Sequence, residues 1–232
     1  MTLQPPPPSD AGSATGSDIR IVLFDVGGVL VEVTGIDVIL EWVGHRLTAE
    51  EVWRYWFRSP AVRAFETGRM EPEQFAAQLL SELDLDLRAD AFLEAFVSWP
   101  ARLYPGAMEL LSRIPPSYTR ALLSNSNALH WPRVMDDLGL GAAFEHRFVS
   151  HLIGWVKPDP EAFQHAIESL RCAPAEVLFL DDSELNVAAA RDLGLRAVRV
   201  RGAAEAEQAL LLAGVIPEDV SAGRRSPRQS AP

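Results

Sequence analysis

Five polar side chains stand where buried strands or a rigid loop would present them: Asp25, Ser124, Lys157, Asp181 and Asp182. Asp25 closes the apolar run Ile21 to Phe24 and leads into Val26-Gly27-Gly28. A carboxylate there is a nucleophile or metal ligand delivered by a parallel strand, or else a plain turn residue, because Asp ahead of glycine is also ordinary turn chemistry. Asp181 and Asp182 follow a second such run, Val177 to Leu180. Asp182 with Ser183 could cap the next helix, which accounts for one acid better than for two. Ser124 and Asn125 end a third run. Lys157, flanked by Trp155-Val156 and Pro158, is the one lysine among 21 lysines and arginines. Where arginine is so favoured, a lone lysine suggests that a compact point charge is required in place of a planar fork. The carboxylates of Asp25 and Asp182, with a backbone carbonyl of the glycine turn, make an oxygen-rich set suited to Mg2+. A hydroxyl, a lysine and backbone N–H groups could then hold phosphate oxygens on the opposite side.

These residues can meet only if the segments carrying them lie side by side. From Tyr104 onward the apolar pattern alternates between helix and short strand: helix Pro105 to Ile114, strand Arg120 to Leu123, helix Leu129 to Leu138, strand Phe148-Val149, helix Pro160 to Leu170, strand Val177 to Leu180, helix Leu185 to Leu193 and strand Ala197 to Val200. That alternation predicts an α/β fold, a doubly wound and mostly parallel sheet with helices on both faces and the strand carboxyl ends in one crevice. Between the first strand and this pattern lie about 65 residues with helical spacing, far more than an ordinary crossover needs. Helices are expected around Ile36 to Val43, Val52 to Phe57, Pro72 to Leu80 and Phe92 to Val97, with Thr48 and Glu51 forming a capping box before the second. The excess reads as a small helical insertion over the crevice. The expected division is a core of residues 18–34 and 101–220, an insertion of residues 35–100, and disordered tails at 1–17 and 221–232.

At 232 residues and 48% apolar composition the chain can bury one substantial core. A formal charge of -11 without a basic stripe argues against nucleic acid as a partner. The single cysteine, Cys172, excludes an intramolecular disulfide, points to a reducing, cytoplasmic setting, and reads as a small helical residue. Met1 to Ser17, with prolines at 5 to 8, has neither the basic start nor the apolar centre of a signal peptide or membrane span, so no membrane partner is expected.

In order, Asp25, Ser124, Lys157-Pro158 and Asp181-Asp182 match the four motifs of the haloacid dehalogenase superfamily, and from about residue 20 to residue 202 the chain resembles its hydrolases. The helical insertion resembles the family's C1-type cap. The resemblance implies that Asp25 attacks phosphorus to form an aspartyl-phosphate that water hydrolyses, that Ser124 and Asn125 bind the phosphoryl group, and that Lys157 stabilises its charge and Asp25. It places Mg2+ on Asp25, the Gly27 carbonyl and Asp182, with Asp181 behind them and Asn186 orienting the acidic pair. The expected substrate is a small phosphorylated metabolite, and the expected state a monomer or homodimer.

One position departs from the pattern. Most phosphatases of the family carry an acid two residues after the nucleophile, and here that residue is Gly27. General acid catalysis is typically worth roughly 10^2 to 10^4 in rate, so its loss calls for compensation. An easily departing leaving group, such as an anomeric sugar oxygen, would supply it. Phe-Asp-Val-Gly-Gly-Val-Leu, Leu-Ser-Asn-Ser-Asn and the insertion stretch Ala-Phe-Glu-Thr-Gly-Arg are similar to bacterial alpha-glucose-1-phosphate phosphatases. Haloacid dehalogenases also lack that acid, and Leu122 to Asn125 resembles their sequence, but an Asp181-Asp182 pair without a metal would repel a carboxylate substrate. A non-catalytic protein that binds a phosphometabolite is the reading from another class. The five histidines lack zinc-site spacing. His130 follows the Ser124 loop closely enough to assist proton transfer but reads first as a surface residue at a helix start; Trp53, Trp56 and Phe57 read as pocket lining or as the insertion's own core, and Arg58 and Arg69 as candidate substrate contacts.

Overall fold

A computed structural model of the protein describes residues 18–218. The segments 1–17 and 221–232, read above as tails, lie outside the described residues. Strand β1 (Ile21–Phe24) is followed by β2 (Val31–Val33) and then by helices α1 (Gly35–Trp42), α2 (Ala49–Arg58), α3 (Pro60–Glu66), α4 (Pro72–Glu82) and α5 (Ala89–Val97). Next come β3 (Pro100–Leu103), α6 (Ala107–Arg113), β4 (Thr119–Ser124), α7 (His130–Pro132), β5 (His146–Val149) and α8 (Ser150–Ile153). The chain continues through α9 (Pro160–Leu170), β6 (Val177–Asp181), α10 (Glu184–Asp192), β7 (Arg196–Arg199) and α11 (Gly202–Leu212).

Five strands form one parallel sheet in the order β5-β4-β1-β6-β7. Both faces are buried, which is why its central strands read as continuous apolar runs. Val22, Phe24, Leu122, Leu178 and Leu180 pack against α6 and α11 on one face, while Ile21, Leu23, Leu123 and Phe179 pack against α9 and α10 on the other. The chain builds outward from β1 through β4 to β5, then crosses back to β6 and β7. β1 therefore sits at the switch in strand order, where a crevice opens beyond the carboxyl ends. Phe24 pairs with Leu122 on one side and Leu180 on the other, so Asp25 emerges at that edge between β4 and β6. The doubly wound α/β expectation holds.

The helical insertion leaves through β2 and returns through β3, which pair antiparallel. Its core is aromatic: Phe65 stacks on Phe75 at 4.3 Å, and Phe92, Phe96 and Trp99 complete the cluster. The capping box forms, with Thr48 Oγ1 accepting from the Glu51 N–H at 3.2 Å and Glu51 Oε2 accepting from the Thr48 N–H at 2.8 Å. Four insertion helices were expected and five are present. The additional one, α3, begins at a cap: Ser59 Oγ accepts the Val62 N–H at 3.3 Å and Pro60 occupies the first turn. The expected helix Leu129 to Leu138 is instead the short α7 followed by a π-helical turn, Arg133–Asp137, closed by the Leu138 N–H donating to the Arg133 carbonyl. Cys172 lies beyond the end of α9 and not within a helix, its half-buried thiol near the Ile167 carbonyl. Among the described residues no helix is long and apolar enough to cross a membrane.

Candidate active site

Asp25 leaves β1 with its N–H donating to the Leu180 carbonyl at 2.8 Å, and Asp181 is the last residue of the neighbouring β6. Ser124 ends β4 on the other side. The glycine turn after Asp25 permits the close approach that brings in Asp182. Gly28 has φ +75°, and a Cβ there would lie 2.4 Å from Asp182 Oδ2. Lys157 ties the set together. Its ammonium, 2% exposed, donates to Asp25 Oδ1 and to Asp181 Oδ2, both at 2.7 Å, and sits 5.4 Å from the centre of the Phe179 ring.

Asp181 is fully engaged: Oδ1 accepts from the Ser183 N–H at 2.8 Å and Asn186 Nδ2 at 3.0 Å, and Oδ2 accepts from Asn186 at 3.1 Å as well as from Lys157. Asn186 thus orients Asp181. The capping alternative for the acidic pair is not what forms, since the residue at the helix start is Ser183 and no side chain caps α10.

Three carboxylates face one ammonium, and their electrostatics show it. Carboxylate oxygens of Asp25, Asp181 and Asp182 lie within 4.8 Å of one another. Burial pushes the Asp25 carboxyl up to about 8 against the pull of Lys157, with Asp181 and Asp182 adding to the rise. Burial and Asp181 also raise Asp182. Burial works against the charge on Lys157, yet Asp181 and Asp25 outweigh it and raise its pKa. Such a surplus of negative oxygens fits a hard divalent cation, which would reverse the pressure on both acids. The Asn186 Oδ1, buried beside the pair, has no partner among the described residues and adds another acceptor.

Asn125 lines the cavity next to Ser124 and also braces the lysine loop. Its Nδ2 donates to the Lys157 carbonyl at 2.8 Å and its Oδ1 accepts the Lys157 N–H at 2.8 Å, so the side chain clasps the loop that carries the lysine. Asn125→Ala removes both bonds at a half-buried site. It is expected to cost about 1–2 kcal/mol, read as a melting temperature lower by several degrees.

These residues line a cavity of about 430 Å3 roofed by the insertion. Trp53, Trp56 and Phe57 contribute to its walls, as does Trp99, whose Nε1 is buried without a partner among the described residues. Arg58 and Arg69 do not line it; Arg69 donates to the Gly154 carbonyl at 3.3 Å. His130 is not a surface residue. Its ring stacks on Phe96 at 4.1 Å, with Nε2 2.7 Å from the Phe96 carbonyl and Nδ1 3.1 Å from Asn127 Nδ2. Burial lowers its pKa to about 4. The carbonyl can only accept, so Nε2 carries the proton and Nδ1 accepts from Asn127. Glu66, Tyr104 and Arg201 also line the cavity and were not singled out from sequence. For Glu66 a signal existed in the Ala-Phe-Glu-Thr-Gly-Arg stretch, which resembled the family without assigning its acid a task.

A family profile described as haloacid dehalogenase-like hydrolase matches residues 19–194. A D-ribitol-5-phosphate phosphatase of Bacteroides thetaiotaomicron is 23% identical over 199 residues, covering 83% of this chain and 97% of that protein. An (S)-2-haloacid dehalogenase of Xanthobacter autotrophicus is 29% identical over 210 residues, 85% of this chain and 81% of the other. Among solved structures, a HAD-family enzyme of B. thetaiotaomicron in complex with magnesium and inorganic phosphate superposes with a TM-score of 0.64 at 24% identity, covering 79% of this chain and 94% of that one. The profile match spans the strand ends, the lysine loop and the helical insertion alike, and the chain belongs to the haloacid dehalogenase-like hydrolase family.

Proposed function

We propose that the protein is a Mg2+-dependent phosphatase that hydrolyses a small phosphate monoester through an aspartyl-phosphate on Asp25. The observation that carries this reading is the Lys157 ammonium bonded at 2.7 Å to both Asp25 and Asp181, inside a cavity that also holds Asp182. A buried nucleophile held by a fixed cation, beside carboxylates that can hold a second, is arranged to receive a dianion. Mg2+ would be held by Asp25, Asp182 and the Gly27 carbonyl, with Asp181 positioned behind them by Asn186; when bound, it supplies a positive charge against phosphoryl oxygens. The Ser124 hydroxyl holds the transferring group, with Asn125 beside it, and Lys157 offsets its charge.

In this reading residues 35–100 act as the cap. The cavity volume suits a metabolite, not a polymer, and its aromatic walls would exclude water from the acyl phosphate. Indole faces beside a phosphate pocket are compatible with a sugar ring, so a sugar 1-phosphate is the first ester to assay. The relatives include both a phosphatase and a dehalogenase. Against dehalogenation, a carboxylate substrate would enter a site whose acids already outnumber its lysine.

Phosphate release from p-nitrophenyl phosphate and a panel of metabolite monoesters tests the reading. With Mg2+, turnover is expected; with a chelator, it should fall at least 100-fold and return on adding Mg2+. Chloride release from a 2-chloro acid in chelator would instead favour dehalogenation. Phosphate-ester binding without turnover would favour the binding protein.

A further inference from the structure

Gly27 leaves the proposed phosphatase without an acid beside its nucleophile, and β2 already crowds that position: a Cβ on Gly27 would lie 3.3 Å from Val33 Cγ2. In the same cavity, the last residue of α3 is Glu66. Its half-buried side chain lines the cavity that holds Asp25, Gly27 and Lys157. We propose that Glu66 takes the place of the missing acid, protonating the leaving-group oxygen and then accepting a proton from the attacking water. This rests on the phosphatase reading.

One bond holds the carboxyl, and several contacts hold the turn that carries it. Trp56 Nε1 donates to Glu66 Oε1 at 3.2 Å. The turn that ends α3 is closed by Thr67 Oγ1 donating to the Arg63 carbonyl at 2.7 Å. Gly68, at φ +69°, lets that turn press onto α8, where a Cβ would stand 2.4 Å from the His151 carbonyl oxygen. Arg63 pairs with Asp159 and Arg69 reaches the Gly154 carbonyl, so arginines three residues to either side of Glu66 anchor it to the core.

Its environment suits both halves of the task. Burial pushes the carboxyl up to about 7, while the Trp56 hydrogen bond and Lys157 pull downward. Near neutral pH it therefore populates both forms, as an acid that must become a base requires. Two other cavity-lining candidates are committed: His130 has both nitrogens bonded and stays neutral, and Lys157 bridges two carboxylates.

In the first step Asp25 Oδ bonds to phosphorus as the bond between phosphorus and the ester oxygen breaks. The departing oxygen keeps the electron pair and takes the Glu66 proton, giving the alcohol, the aspartyl-phosphate and a Glu66 carboxylate. In the second step water oxygen bonds to phosphorus and yields one proton to Glu66. The bond from Asp25 to phosphorus breaks, releasing hydrogen phosphate and restoring the starting protonation of both side chains.

A leaving-group comparison with Glu66→Gln tests the assignment. An alkyl phosphate needs the proton and a nitrophenyl phosphate barely does. The expected result with Mg2+ is a kcat/KM lowered by roughly 10^2 to 10^4 on the alkyl ester and by less than about tenfold on the aryl ester. Equal losses on both, with an unchanged melting temperature, would overturn it, as would no loss on either. Should Glu66→Gln fail to fold, Trp56→Phe decides. Removing the bond that favours the carboxylate raises the Glu66 pKa, so the falling limb of kcat/KM against pH for the alkyl ester should move to higher pH; an unmoved limb counts against the assignment. Failure of the phosphatase reading looks different: the unmodified protein would hydrolyse neither ester, or would do so without Asp25.

Discussion

Asp25→Asn is expected to remove phosphate-ester turnover by on the order of 10^4-fold or more, because an amide oxygen cannot form the acyl phosphate and losing a nucleophile disables the whole catalytic unit. The same substitution should stabilise the metal-free protein. Asp25 is 8% exposed and faces Asp181 and Asp182, and its carboxyl is pushed up to about 8. A carboxyl with a raised folded pKa favours the fold below its unfolded pKa, near 3.8, and that contribution is lost as pH rises through the folded value. Asn carries no charge at any of these pH values, so the variant should show the larger gain in melting temperature at pH 8 and above and none near pH 3. Mg2+ inverts the comparison, stabilising the parent protein more than the variant. Melting curves in chelator and in Mg2+ at both pH values check this. Equal stabilisation of the two by Mg2+ would take Asp25 out of the metal-binding set.

What could be read before the structure was the information carried by short stretches of chain. An apolar run ending in an acid places that acid at the end of a strand whatever surrounds it, so Asp25 and Asp181 could be located, and the alternation of strands with helices put them in one crevice. Lys157 stood out because its type was exceptional in the composition. The residues that escaped depend on packing between distant segments. Whether Glu66 faces the cavity is decided by the seating of α3 on α8 through Gly68, which no local pattern encodes. His130 looked like a helix-start surface residue because its burial comes from Phe96, thirty-four positions earlier. That the Asn125 amide also matches the Lys157 backbone in both directions could not be read from its place after Ser124. β2 and β3, three and four residues long, were too short for a period to show. α11 was missed because its buried face, Ala203, Ala206 and Ala209, contrasts little with the rest of the helix.

Lys157→Met should damage both stability and turnover, and Mg2+ should separate the two. Methionine can fill most of the aliphatic volume and keep contact with the Phe179 ring, so the loss is chiefly one of charge. Removing one partner of a buried ion pair typically costs about 3–5 kcal/mol, because the charge left behind is neither solvated nor paired. Here more than one carboxylate is stranded, and a drop in melting temperature of roughly 10 °C follows in chelator. Mg2+ binding at Asp25 and Asp182 should recover part of that loss without restoring turnover, since no cation then stands where Lys157 met the nucleophile. Lys157→Arg should not rescue the enzyme, because a planar guanidinium needs more room than a site 2% exposed and closed by the Asn125 clasp provides. The double variant Lys157→Met, Asp25→Asn is the sharper measurement. If the cost lies in unpaired negative charge, adding Asp25→Asn returns stability to Lys157→Met and the two effects fail to add. If it lies in lost packing around the lysine stem, the second substitution returns nothing. Recovery in the double variant, with Mg2+ rescue of Lys157→Met, would locate the requirement for this chain's single lysine in the charge balance of the nucleophile's pocket.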